Sequence, residues 1–145
     1  MTALFSAAAR RSDASALFTI YAAGALVSRV LDQNVHSLDI EGSLDVYQRS
    51  TAGASFSDPT SFTVGTKVAS FDMTLQDMLA VFAPAKGIPT LSGDVRQTAS
   101  ARTSSGDHFG LTGLRFRLLA TGLGTLVDPV TLNAALEMAG NWALT

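Results

Sequence analysis

The sequence has no cysteine. That excludes a disulfide framework, a thiolate metal site and a cysteine nucleophile, and it fits a reducing compartment. Histidine is almost as scarce. His36 and His108 are the only two, they sit in separate segments, and they have no ligand spacing, so no metal is expected. Charged residues make up 15% of the chain, below the usual quarter. With a net charge of −2 there is no basic face for nucleic acid. Long apolar runs are missing too. The stretch from Ala14 to Val27 is too short for a membrane-spanning helix. Arg10-Arg11 precedes it as in an export signal, but Asp13 is out of place in one. The expectation is a cytoplasmic protein with no membrane partner.

What remains is apolar. Hydrophobic residues are 47% of 145 residues, enough for a single domain with a real core. Residues 1–13 read as an arm or short helix. The stretch from Ala16 to Val30 is rich in β-formers and reads as two strands, or as one long strand bent at Gly24. Asp32-Gln33-Asn34 is a turn. Leu38 to Tyr47 alternates strictly, with Leu38, Ile40, Gly42, Leu44 and Val46 opposite Asp39, Glu41, Ser43, Asp45 and Tyr47, the mark of a half-buried strand. Ser50 to Thr63 is a long polar loop and a candidate lid. In Val64 to Ala83, strand propensity competes with a helical spacing of Leu75, Met78, Leu79 and Phe82; two strands with a turn near Gln76-Asp77 are favoured. Pro84 to Pro89 is a turn, Thr90 to Ala101 alternates again, and Thr103 to Asp107 is a hairpin loop. Phe109 to Leu126 supplies the last strands. Asp128-Pro129 resembles an N-cap followed by proline at the first helical position, so residues 130–142 are expected to be helical, with Leu132, Leu136 and Ala139 in one stripe. About seven or eight short strands and a terminal helix fit a mainly β, up-and-down antiparallel barrel. A barrel of about eight strands has room for one small ligand.

The chemistry is sparsely written. There is no Gly-x-Ser-x-Gly elbow, and the glycine-rich segments lack a phosphate loop's lysine. The acidic side of the Leu38–Tyr47 strand is either a solvated outer face or the lining of a lumen. In the second case Glu41 is a candidate acid or base, with Arg29, Arg96, Arg115 and Arg117 as its natural partners. Tyr21 and Tyr47 offer phenolic hydroxyls. Met73 would shape a pocket, and Trp142, on the expected terminal helix, would plug a barrel mouth.

The glycine-punctuated segment Phe109-Gly110-Leu111-Thr112-Gly113-Leu114-Arg115, followed by Ala120-Thr121-Gly122, resembles the late hairpin of allene oxide cyclase-like barrels, within the calycin type. It is most similar to bacterial spirotetronate cyclases, and plant dirigent proteins share the same barrel. Leu91-Ser92-Gly93-Asp94 takes the place of the preceding strand. The resemblance covers about 35 residues, and the N-terminal apolar segment and the expected terminal helix depart from it. It implies a cofactor-free cyclase or isomerase that folds an apolar natural-product intermediate, such as a polyketide undergoing [4+2] closure, by orientation and a few hydrogen bonds. Glu41 and Tyr47 are then the catalytic candidates, and Tyr21, Met73, Arg115 and Trp142 would bind substrate. The alternatives are a non-catalytic carrier of a small hydrophobic ligand and an oligomeric structural protein whose low charge reflects subunit contacts. The cyclase is expected to be a homo-oligomer.

Overall fold

A computed structural model describes residues 3–7, 11–131 and 133–145. It is mainly β, with 68% of residues in strands. The strands are β1 (Phe18–Asp32), β2 (Val35–Gln48), β3 (Thr66–Ala83), β4 (Lys86–Ser100), β5 (Arg115–Asp128) and β6 (Asn133–Leu144). They form one open antiparallel sheet in the order β1-β2-β3-β4-β5-β6, so β1 and β6 are its edges. The only helical pieces among the described residues are short 3-10 turns at Asp13–Ser15 and Pro59–Thr63.

The count is six strands rather than seven or eight because, of the two readings of Ala16 to Val30, the single strand holds, and because the expected turn at Gln76-Asp77 is absent. Ala16 to Val30 gives one strand without interruption at Gly24. β3 runs straight through Gln76-Asp77. Those two polar residues make cross-strand links instead of a turn. Gln76 donates to Asp39 on β2 at 3.1 Å, and Asp77 accepts the Thr90 N–H of β4 at 3.0 Å. Neighbours on both sides of β3 supply the ladder that a helix would have to satisfy internally.

The C-terminal helix expected over 130–142 is not present; β6 occupies that stretch. Asp128 does cap backbone there, but it caps a turn. Its carboxylate accepts from the Val130 N–H at 2.8 Å and the Thr131 hydroxyl at 2.7 Å. An Asx turn and a helix N-cap use the same side-chain chemistry, so the local signal cannot separate them. Pairing decides. β6 lies antiparallel on β5 from Phe116↔Leu144 to Leu126↔Ala134. Leu132, part of the expected stripe, lies outside the described residues, as do residues 1, 2 and 8–10 of the expected N-terminal arm.

The chain divides into two compact units. The first comprises Met1–Ala23, Ser43–Asp72 and Arg96–Leu114. Its core contains Leu44, Val46, Val68, Ala69 and Phe71. Buried Gln97 organises the glycine-rich segment. Its side-chain amide donates to the Phe109 and Ala99 carbonyls at 2.7 and 3.1 Å, and its oxygen accepts the Leu111 N–H at 3.1 Å. Its backbone bonds Gly113 and Leu114. Gly110 and Gly113 have φ of +69° and +96°, the left-handed region that glycine enters without steric cost. The segment from Phe109 to Leu114 is therefore a clasped loop, not the start of a strand. The Ser50–Thr63 stretch is also pinned. Asp58 accepts from the Thr60 N–H, Ser55 N–H donates to the Ser61 hydroxyl at 2.9 Å, and Thr19 donates to the Phe62 carbonyl at 2.7 Å. Arg49 donates to the Thr51 and Ser61 carbonyls.

The second unit comprises Gly24–Gly42, Met73–Val95 and Arg115–Thr145. Met73, Gly87, Pro89 and Val95 are buried. On β5 even-numbered residues are half-buried and odd-numbered ones exposed, as the two-residue period of a strand requires. β1 to β4 each contribute to both units, which is why no linker composition marks a boundary in the sequence.

Candidate functional site

In the second unit, alternate residues of neighbouring strands gather on one face. Asp39 and Glu41 of β2, Thr74 and Gln76 of β3, Ser92 and Asp94 of β4 and Arg117 of β5 line a cleft of about 550 Å³. Each pair is two residues apart along its strand, so the pleat aims both side chains the same way. The volume is in the range of small-ligand sites, and the lining is mixed, because Val27 and Leu75 stand among these polar side chains. Arg117 reaches Asp94 through two nitrogens, at 3.2 and 3.3 Å. The Asp94 carboxylate raises the guanidinium's pKa above its already high ordinary value. Asp39 accepts from Gln76, as above. Glu41 is exposed at the wall of this cleft. The cleft can therefore hold a polar or cationic group by hydrogen bonds and charge.

The other expected site residues are elsewhere. Tyr47 is six positions from Glu41 along β2 and belongs to the first unit. There Lys67 Nζ lies 5.6 Å from the Tyr47 ring centroid and pairs with Asp45 at 2.6 Å. Ser70 donates to the other Asp45 oxygen at 2.6 Å. Burial by itself would push the Asp45 carboxyl up; the hydrogen bonds from Lys67 and Ser70 and the lysine's charge outweigh it and hold the pKa below the ordinary value. Tyr21 lines a separate hollow of about 190 Å³ in the first unit with Ile20, Ala22, Phe56, Pro59 and Phe62. Met73 is buried. Arg115 is exposed at the start of β5, and the arginine in the cleft is Arg117. Trp142 stands on β6, half exposed, edge-on to Phe116 with centroids 6.3 Å apart; it lies on an edge strand, not on a plugging helix. The structure thus brings Glu41 together with none of the other five expected residues in the cleft lining.

No family model, curated protein or solved structure matches this chain. Function must be read from the molecule alone.

Among the described residues no group of histidine, aspartate and glutamate is placed to hold a metal ion. His108 Nδ1 lies 3.3 Å from the Ser100 hydroxyl, but that hydroxyl also donates to the Phe109 and Gly110 carbonyls, which ties it to the clasped loop. Asp77 is the described carboxylate whose pKa burial raises, a rise the Thr90 N–H only partly offsets. No described helix is long and apolar enough to cross a membrane.

Sequence reasoning put Asp39 on the same strand face as Glu41 and named Arg117 among its partners; the members it missed are Thr74, Gln76, Ser92 and Asp94. The available signal was the alternation within each strand. Register between strands, which puts these positions side by side, is not written in any one of them.

The most unusual surface is not the cleft. After Thr19 every residue of β1 is exposed, and on β6 only Met138 is less than exposed. Leu26, Val27, Val30 and Leu31 on β1, and Leu136, Trp142 and Leu144 on β6, are each about half exposed or more. Long edge strands with apolar side chains and unpaired backbone are templates for adding another strand.

Proposed function

We propose that this chain is a non-catalytic assembly subunit that completes its sheet against further copies of itself. One observation carries the reading: both edge strands expose apolar side chains. Soluble monomers commonly protect long edges with charge, proline or a covering element. Here β6 carries a single charge, Glu137, and no proline. Low overall charge points the same way, because subunit contacts disfavour charged cores. The test is the solution mass. Sedimentation equilibrium across a wide concentration range should return a multiple of the chain mass. A single-chain mass at every concentration would end the reading.

A second reading keeps the small-molecule function. Under it β1 and β6 close into a barrel, and the chain is a cofactor-free cyclase or isomerase, or a carrier of a hydrophobic ligand. Its support is the cleft of ligand-sized volume with Glu41 at its wall. The mixed lining, with Val27 and Leu75 beside Asp39, Glu41, Asp94 and Arg117, favours a substrate with an apolar part and a basic or hydroxylated end. Repeated turnover of a linear polyene precursor without added cofactor would establish the cyclase, and stoichiometric binding without turnover the carrier. Neither activity together with a multimeric mass leaves the assembly subunit.

A further inference from the structure

The assembly reading leaves open which edge joins which, and the backbone of β6 answers it. The Thr145 N–H donates to the Arg115 carbonyl at 3.1 Å. This pair continues the β5–β6 register, in which Phe116 faces Leu144 and Arg117 faces Ala143. Hydrogen-bonded pairs alternate along an antiparallel ladder. Odd-numbered residues of β6 therefore direct their N–H and C=O at β5. Even-numbered residues, from Ala134 to Leu144, direct theirs at the open edge.

A new strand can bond only to those outward groups. If that strand is a second β6, even residues must pair with even residues. The rule has a side-chain consequence. The even positions are Ala134, Leu136, Met138, Gly140, Trp142 and Leu144, all of them apolar or glycine. Backbone bonding alone thus sets the apolar face of one copy beside the apolar face of the other. A register centred on Met138 would leave Leu144 without a partner, whereas the register centred on Ala139 pairs every even position from Ala134 to Leu144. It sets Leu136 opposite Trp142 of the second copy, an aromatic–aliphatic cross-strand pair of the stabilising kind. It sets Met138 opposite Gly140 and Ala134 opposite Leu144. On the other face Glu137 comes opposite Asn141, so the one charge of the strand never meets itself.

Resting on the assembly reading, we infer that β6 pairs antiparallel with β6 of a second copy, centred on Ala139, to make a continuous two-chain sheet. The interface is isologous, so it closes at two copies.

Absence of cysteine makes the register directly testable. Ala139 would face its own counterpart at a non-hydrogen-bonded position, where Cα atoms approach to about 4.5 Å, within disulfide reach. Ala139→Cys alone should therefore oxidise to a covalent dimer in most of the protein. Ala143→Cys alone should not, because its counterpart is Ala135. Mixed with Ala135→Cys it should. All three sites are exposed, and circular dichroism of the reduced variants reports that they fold. A dimeric wild type whose Ala139→Cys variant stays uncrosslinked overturns this pairing and leaves the assembly reading standing. A monomeric wild type overturns both. Open-ended polymers, which edge-to-edge pairing of β1 with β6 would give, also overturn it.

Discussion

Replacing Gly110 with alanine tests the clasp that organises the glycine-rich loop. Two costs are expected. The first is conformational. φ is +69° at this residue, and an L side chain in the left-handed region costs about 1–2 kcal/mol. The second is a collision. A Cβ on Gly110 would fall well inside van der Waals contact of the Gln97 side-chain oxygen. That amide has little freedom to move, because it is held by bonds to Ala99, Phe109 and Leu111. Displacing it strands the Leu111 N–H, while the Phe109 carbonyl keeps its bond from Ser100 at 3.1 Å. One unsatisfied group costs about 1–3 kcal/mol. The sum for Gly110→Ala is about 2–5 kcal/mol. In a Gln97→Ala background there is no amide to strike, and the same substitution should cost only the conformational part, about 1–2 kcal/mol. A double-mutant cycle should thus show a coupling of about 1–3 kcal/mol. Urea unfolding followed by circular dichroism, at one fixed protein concentration, measures all four corners. Equal costs of Gly110→Ala in the two backgrounds would refute the collision. A cost near zero in the wild type would refute the left-handed requirement as well.

Three further outcomes follow from the same contacts. Gly65→Ala should destabilise by about 2–4 kcal/mol, because Gly65 has φ of +123° and its Cβ would strike the Gln48 backbone carbonyl; chemical denaturation at neutral pH reads this. Asp45→Asn should weaken the protein above pH 4 by no more than about 1 kcal/mol, since Lys67 is half exposed. The native pKa is lowered, so the aspartate's contribution is full above the unfolded value of about 4 and disappears as pH falls through the native one. Thermal melts from pH 2 to 7 should show the variant and wild type converging at the acid end; a constant gap refutes the pairing. Asp77→Asn should act in the opposite sense. The native pKa is raised by burial, so the wild type loses stability as pH rises from about 4 through the native value. The variant escapes that loss and keeps an acceptor for the Thr90 N–H, so it should match or exceed the wild type at pH 7. A less stable variant at pH 7 contradicts the sign.

Legibility followed the range of the forces involved. β2 was readable because its alternation is a local consequence of one buried and one solvated face. The Asp32-Gln33-Asn34 turn was readable for the same reason. At Gln76-Asp77 local signals misled, because both residues bond across strands to partners 37 and 13 positions away. At Asp128 a real capping signal pointed to the wrong element. The glycine-rich motif reads in sequence as the start of the last strands, but Phe109 to Leu114 is a loop shaped by Gln97, which no local pattern connects to Gly110. Glu41 was placed on a polar face, while its neighbours Asp94 and Arg117 come from other strands.

The amino-acid sequence alone determined the β class, the turn after Asp32 and the two-residue rhythm of the faces, since each depends on residues a few positions apart and on the sterics of the backbone. Tertiary structure decided that the last segment is a strand, that Glu41 shares a cleft with Asp94 and Arg117, and that β1 and β6 remain as apolar edges. Those outcomes depend on which strand finds which partner, and hydrogen bonding between strands can override the preference of any single segment.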